Sequence, residues 1–171
     1  MSGEPARCEG CGFCWDEVPP SEVPPRLTAA VDAFLGVIAD AGPAASIRPD
    51  AERWSILEYG AHLRDVFLSL RERILAAVIV EHPTGQPIYR EERVNLGFYD
   101  GDTPEDIALE LDVASGLLLK VLERLPEGAA SRRMRYSPVT NLEVTVGWVA
   151  AQAAHEAEHH LGDVQANLTL S

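Results

Sequence analysis

The stretch LEVTVGWVAAQAAHEAEHHLGDVQANL, residues 142–168, decides how this chain folds. Take about 100° per residue on a helix and set Ala150 at zero. Val146, Ala153, Ala154, Ala157, Leu161, Val164 and Leu168 then fall within about 60° of zero. One apolar arc sustained over so many turns reads as a long helix with one face in a core. Inside it, His155-Glu156-Ala157-Glu158-His159-His160-Leu161-Gly162-Asp163 carries two overlapping pairs one turn apart, His155/His159 and Glu156/His160. Residues four apart lie on one helix face with Cβ atoms about 5–6 Å apart, which suits two ligands of one ion. A third ligand from another helix makes a three-ligand site with a free position, the layout of catalytic metals.

The same wheel separates the two pairs. His160 falls at about −80° and Glu156 at about −120°, at the edge of the apolar arc. His155 and His159 fall at about 140° and 180°, so this pair is expected mostly in water. Trp148, at about 160°, puts one aromatic side chain on that outer face.

Working outward, three more helical segments are expected. Residues 26–41 place Leu27, Val31, Phe34, Leu35 and Ile38 at helical spacing, and Gly42-Pro43 stops them. A second helix begins at Ser55, which forms a capping-box pattern with Glu58, and runs to about Val80. Its stripe is Ile56, Leu63, Val66, Phe67, Leu70 and Ile74. With Leu63 at zero, His62 falls at about −100°, flanking its stripe much as His160 flanks its own. Residues 81–102 read as a long loop, containing His82 beside Pro83. Thr103-Pro104-Glu105-Asp106 starts a third helix, with proline at its first position, reaching Leu125. Residues 129–141 form a basic connection with Arg132, Arg133 and Arg135. With no convincing strand pattern, the fold class is all-α, a four-helix bundle over residues 26–171. Residues 1–25 form a cysteine-containing segment and proline-rich linker.

Two inward-edge histidines plus a carboxylate make His62, Glu156 and His160 the preferred ligand set for a divalent metal. His62 with His155 and His159 is the alternative. Alone, each residue has an ordinary reading: a hydrogen-bonded histidine at a helix flank, a solvated helix-face acid. Their combination points to the metal. Zinc is the first expectation, with nickel, iron or manganese as alternatives.

The three cysteines sit in one heptapeptide, Cys8, Cys11 and Cys14. Cys-x2-Cys followed by glycine resembles half of a zinc knuckle, and a closed site wants four ligands. A second metal on Cys8, Cys11 and Cys14 therefore needs Asp16, a distant histidine or a partner chain to complete it. The alternative is a set of free or redox-active thiols in a mobile tail.

The balance of charge bounds the partners. Against 27 acidic residues there are 14 basic ones, a net −13, which repels a phosphate backbone over most of the surface. Nucleic acid is not an expected partner; a small molecule is. No apolar run approaches the about 18–20 residues of a membrane span. The N-terminus lacks the basic-then-apolar order of a signal peptide. The expectation is a cytoplasmic protein without membrane contact, and a homodimer is the default for assembly.

Trp54-Ser-Ile-Leu-Glu-Tyr-Gly-Ala-His62-Leu-Arg-Asp65 resembles the second-helix signature of the DinB-like superfamily. That group includes YfiT-type bacillithiol transferases and mycothiol-dependent maleylpyruvate isomerases. The resemblance implies a four-helix bundle with a divalent metal on one histidine of helix 2 and a one-turn pair of the last helix. In the maleylpyruvate isomerase branch that pair is Glu-x-x-x-His with an aspartate three residues on, as in Glu156, His160 and Asp163 here. The cysteine-rich N-terminus lies outside the pattern. The chemistry implied is a metal-activated thiolate, from a low-molecular-weight thiol co-substrate such as mycothiol, in an S-transferase or isomerase. Asp163 would orient His160 or a bound water, and Arg132, Arg133 and Arg135 would bind an anionic substrate or cofactor. Two alternatives remain: a hydrolase that uses activated water, and a non-catalytic metal- or redox-responsive protein whose cysteine tail is the sensor.

Overall fold

The computed structural model describes residues 7–169. Its elements in chain order are helix α1 (Val23–Ala41), α2 (Ile56–Ile79), the short α3 (Arg90–Asn95), α4 (Pro104–Leu122), strands β1 (Arg133–Arg135) and β2 (Glu143–Thr145), and helix α5 (Val146–Leu168). Helices α1, α2, α4 and α5 form the bundle. Each of α1 and α2 packs along both α4 and α5, while α1 and α2 barely touch. Sequential helices α1 and α2 thus lie diagonally across the bundle, and α5 is wedged between them.

Helix starts follow the expected chemistry. Ser55 Oγ accepts from Glu58 N at 3.2 Å while the Glu58 carboxylate accepts from Ser55 N at 2.7 Å, a reciprocal capping box. Thr103 and Asp106 repeat it at α4, with Pro104 at the first position. The prolines before α1 do not form a separate extended spacer: Pro24 and Pro25 lie inside its first turn, where the missing N–H has no helical partner anyway.

The core is continuous. Leu27, Phe34, Leu63, Phe67, Leu70, Ile74, Ile107, Leu111 and Leu118 are fully buried. Gly60 brings α2 against its neighbours: a Cβ there would meet Ile107 Cγ2 at 2.6 Å. Residues 23–46 are long and apolar enough to cross a membrane by length and composition alone, more than the sequence reading allowed. Here Leu27, Val31, Phe34 and Ile38 of that segment are buried in the bundle.

Three local differences from the sequence expectation matter. The 81–102 loop contains α3, entered through Tyr89 at φ 53°. The last helix starts at Val146, not Leu142, because residues 143–145 pair antiparallel with 133–135 and set Met134 opposite Val144, both fully buried. Three-residue strands are too short to show an alternating pattern. Finally, residues 7–18 fold onto the bundle, and Phe13, Trp15 and Val18 belong to its core.

Candidate metal centre

Three side chains converge where α2 faces α5. His62 Nε2 lies 3.6 Å from Glu156 Oε2, and His160 Nε2 lies 3.3 Å from the same oxygen. One ligand atom from each of the three lies within 4.8 Å of the other two. Nitrogen and oxygen ligands placed tetrahedrally about 2.0–2.2 Å from a zinc ion stand about 3.3–3.6 Å from one another. The observed separations match that spacing and exceed an ordinary N–H···O bond of about 2.7–3.2 Å. His62 is 3% exposed, and neither of its ring nitrogens makes a hydrogen bond among the described residues. A buried polar group left unpaired is costly, and ligation of an ion would satisfy one of these nitrogens.

Neighbouring groups hold the set in place. Asp163 Oδ2 lies 2.7 Å from His160 Nδ1, which leaves His160 Nε2 aimed at Glu156. Gln152 Nε2 donates to Glu156 Oε1 at 2.6 Å, leaving Oε2 for the two histidines. Trp15 Nε1 donates in turn to Gln152 Oε1 at 2.8 Å. Burial raises the Glu156 carboxyl, but the two histidines outweigh it and hold the group well below its ordinary range. Burial lowers His160, yet Asp163 and Glu156 outweigh it and lift the imidazole to about 9. A readily protonated His160 beside a firmly ionised Glu156 is an electrostatic arrangement that a divalent ion replaces directly.

His62 and Glu156 border a cavity of about 550 Å³ whose other walls include Arg73, Arg90 and Tyr136. Arg73 is 4% exposed. Its Nη2 donates to the Gln86 carbonyl and its guanidinium lies over the Tyr136 ring at 4.2 Å. Its Nε and Nη1 make no hydrogen bond among the described residues. Burial pushes the Tyr136 hydroxyl up to about 12, so it stays a neutral donor. Arg73 was not singled out in the sequence, although eleven residues from His62 is about 1100°, or about 20° apart on the same face.

The three arginines before the last helix lie elsewhere. Arg132 donates to the Ala77 and Val80 carbonyls, capping the end of α2. Arg133 is exposed on β1 and joins Arg132, Glu81 and His82 around a separate depression. Arg135 pairs with Glu143 at 3.5 Å on the surface.

His155 and His159 are not in open water, contrary to the wheel. Residues 8–15 cover them. Phe13 and Trp15 rings lie 5.2 and 4.7 Å from the His155 ring, Trp15 stacks on Trp148 at 5.6 Å, and Cys8 Sγ lies 3.9 Å from His159 Nδ1. The wheel assigned that face to solvent because it sees only the helix. Cys8, Cys11, His155 and His159 form a second group with ligand atoms within 4.8 Å of one another. Cys14 is outside that group and precedes the turn at Trp15–Glu17.

Comparison with known proteins adds to this geometry. The family model described as the DinB superfamily matches residues 26–164. No curated protein matches the chain. Among solved structures, YfiT from Bacillus subtilis, described as a probable metal-dependent hydrolase with an unusual four-helix bundle topology, is similar at TM-score 0.79 and 15% identity. That match covers 98% of this chain and 94% of that one. A mycothiol-dependent maleylpyruvate isomerase is similar at TM-score 0.72 and 14% identity, over 89% of this chain and 63% of that one. A conserved protein from Enterococcus faecalis is similar at TM-score 0.64 and 16% identity, over 88% and 95%.

Proposed function

This chain belongs to the DinB superfamily, and on that premise we propose that it is a metal-dependent hydrolase acting on small anionic substrates. The observation that carries the proposal is the convergence of His62, Glu156 and His160 beside an accessible cavity. Three protein ligands leave coordination positions free, the arrangement of catalytic and not structural ions. A divalent ion held there would supply Lewis acidity and a nucleophile at neutral pH by lowering the pKa of bound water. Zinc suits this mixed nitrogen and oxygen set. Glu156 would ligate through Oε2 while Gln152 holds Oε1. Asp163 fixes the His160 ring through Nδ1.

The substrate class follows from the cavity. Arg73 lines the cavity, its buried Nε and Nη1 make no hydrogen bond among the described residues, and a planar guanidinium pairs best with a carboxylate or phosphate. Arg90, exposed and beside Glu91, lines the cavity as well and adds a second positive group. Glu92 and Glu156 line the same cavity, and a divalent ion held on Glu156 would offset their charge and tip the local balance toward an anion.

A second reading rests on one specific feature. Glu156, His160 and Asp163 stand in the spacing that resembles the maleylpyruvate isomerase branch, and Asp163 does bond His160. In that reading a low-molecular-weight thiol such as mycothiol takes the open position and the reaction is thiol transfer or isomerisation. The test is turnover of a panel of small carboxylate-bearing esters and amides by metal-loaded protein, with and without added thiol. Thiol-independent turnover that disappears in Glu156→Ala/His160→Ala supports hydrolysis. Turnover only with thiol overturns it in favour of the second reading.

A further inference from the structure

We propose that Cys8, Cys11, His155 and His159 bind a second, structural zinc ion that fastens the N-terminal segment to the outer face of α5. Four donors of the types that make closed zinc sites lie within 4.8 Å of one another, from two segments far apart in sequence. A sulfur at about 2.3 Å and a nitrogen at about 2.0 Å around a tetrahedral ion stand about 3.5 Å apart. The Cys8 Sγ to His159 Nδ1 distance of 3.9 Å needs to close by only about 0.4 Å to reach that spacing.

Independent features of the backbone prepare the site. Cys8 N donates to the Phe13 carbonyl at 2.8 Å, and Gly12 N donates to the Cys8 carbonyl at 2.9 Å. These bonds close a tight loop around the two thiols. Gly12 takes φ +77°, the left-handed conformation that glycine adopts without a Cβ penalty. A Cβ on Gly10 would stand 3.0 Å from His159 Cε1 and 3.9 Å from Cys8 Sγ, so the loop approaches the imidazole as closely as its residue allows.

The strongest pointer to a ligand is His155. It is 9% exposed, and neither ring nitrogen makes a hydrogen bond among the described residues. An imidazole walled in by Phe13 and Trp15 with both nitrogens unpaired costs free energy, which one bond to an ion offsets. His159 Nε2 lies 3.8 Å from Asp163 Oδ2, beyond hydrogen-bond reach, so its Nδ1 is the nitrogen that faces the thiols. A closed set of four protein ligands leaves no position for substrate, so this ion is structural where the His62 site is open.

The consequence reaches the other centre. Fastening residues 8–15 sets Trp15 on Gln152, and Gln152 holds Glu156. The outer ion thereby positions a ligand of the inner one.

Cobalt substitution of the full-length reduced protein tests this. Thiolate ligation gives intense visible bands and near-ultraviolet sulfur-to-cobalt charge transfer, which a His/Glu site lacks. About one equivalent of such cobalt is expected in the wild type, in Cys14→Ser and in Glu156→Ala/His160→Ala. The bands should be absent from Cys8→Ser/Cys11→Ser and from His155→Ala/His159→Ala. A second readout needs no variant. In zinc-loaded protein only Cys14 of the three cysteines should react quickly with a thiol reagent, and chelation should release the other two. Loss of the bands in Cys14→Ser, their survival in Cys8→Ser/Cys11→Ser, or fast reaction of all three thiols before chelation would each overturn the proposal.

Discussion

Helix α5 carries two one-turn pairs offset by a single residue, and the two faces they occupy could hardly differ more. Glu156 and His160 look inward to His62 across a cleft with room beside it. His155 and His159 look outward to two cysteines, with His155 walled in by Phe13 and Trp15 and His159 partly exposed. One residue of offset is about 100° of rotation, enough to move a pair from a helix–helix seam to the flank that the N-terminal segment covers, although the His159 and His160 rings stay 5.1 Å apart. The inner set includes a carboxylate and stops at three donors; the outer adds two thiols and reaches four. Open against closed coordination is the physical difference between an ion that works on a substrate and one that holds structure.

The sharpest way to break this division is to empty one face and read the other. Glu156→Ala/His160→Ala should lose the inner ion and all turnover, while the thiols of Cys8 and Cys11 keep their slow reactivity. Elemental analysis beside thiol titration checks both at once. If this variant frees the thiols as well, the two faces are one site and the division fails.

Next in size are the groups that connect the faces. Asp163 lies 2.7 Å from His160 and 3.8 Å from His159, and Gln152 joins Trp15 to Glu156. Asp163→Asn and Gln152→Leu should each weaken the inner site by about 10–100-fold in metal affinity, the usual consequence of disturbing a ligand's partner. Cys8→Ser/Cys11→Ser should weaken the inner site by about tenfold through the same relay. Competition with a chelator of known affinity measures all three. Equal inner affinity in the cysteine variant would show that Trp15 holds Gln152 without help from the outer ion.

What the sequence showed of this arrangement has a physical pattern. The bundle, its capping boxes at Ser55 and Thr103, and the inward direction of His160 were legible because they depend on local periodicity and on one apolar core. His155 and His159 escape the wheel because their covering depends on a segment more than a hundred residues away, which no helical wheel contains. Trp148 at the same angle was the available sign, since a tryptophan on an outer face implies a cover. Arg73 is hidden in the sequence for a different reason. A cluster of charges at 132–135 is conspicuous in sequence, yet Arg132 spends its donors on the end of α2, whereas a lone buried arginine one stripe from His62 carries no local signature.

Acidity separates the metal-free and loaded forms of the inner face. In the metal-free protein His160 holds its proton until about pH 9, and an ion must displace that proton to bind. Apparent metal affinity should therefore rise by about tenfold per pH unit from neutrality and level off near pH 9, following one proton released per ion. Isothermal titration in buffers of different ionisation enthalpy, done in the Cys8→Ser/Cys11→Ser background, counts the proton without interference from thiols. A flat profile between pH 7 and 9 would mean that His160 is already neutral when the ion arrives.

The smallest effect distinguishes what fastens the N-terminal segment. Arg26 reaches from α1 to Glu158 of α5 with two bonds of 2.7 Å and lies over the Phe13 ring at 4.9 Å, so it is the obvious competitor to the outer ion as a clasp. Both partners of the ion pair are about one-third exposed, and pairs at such sites contribute no more than about 1 kcal/mol. Arg26→Met keeps a long apolar side chain over Phe13 and removes only the charge. Thermal unfolding should shift by no more than that small amount, and limited proteolysis within residues 8–18 should be unchanged. Removing the cysteine ligands should instead expose the segment to cleavage while the bundle stays intact. Should Arg26→Met alone release residues 8–18, charge and not metal holds them, and the outer face of α5 would be a polar contact instead of a second metal site.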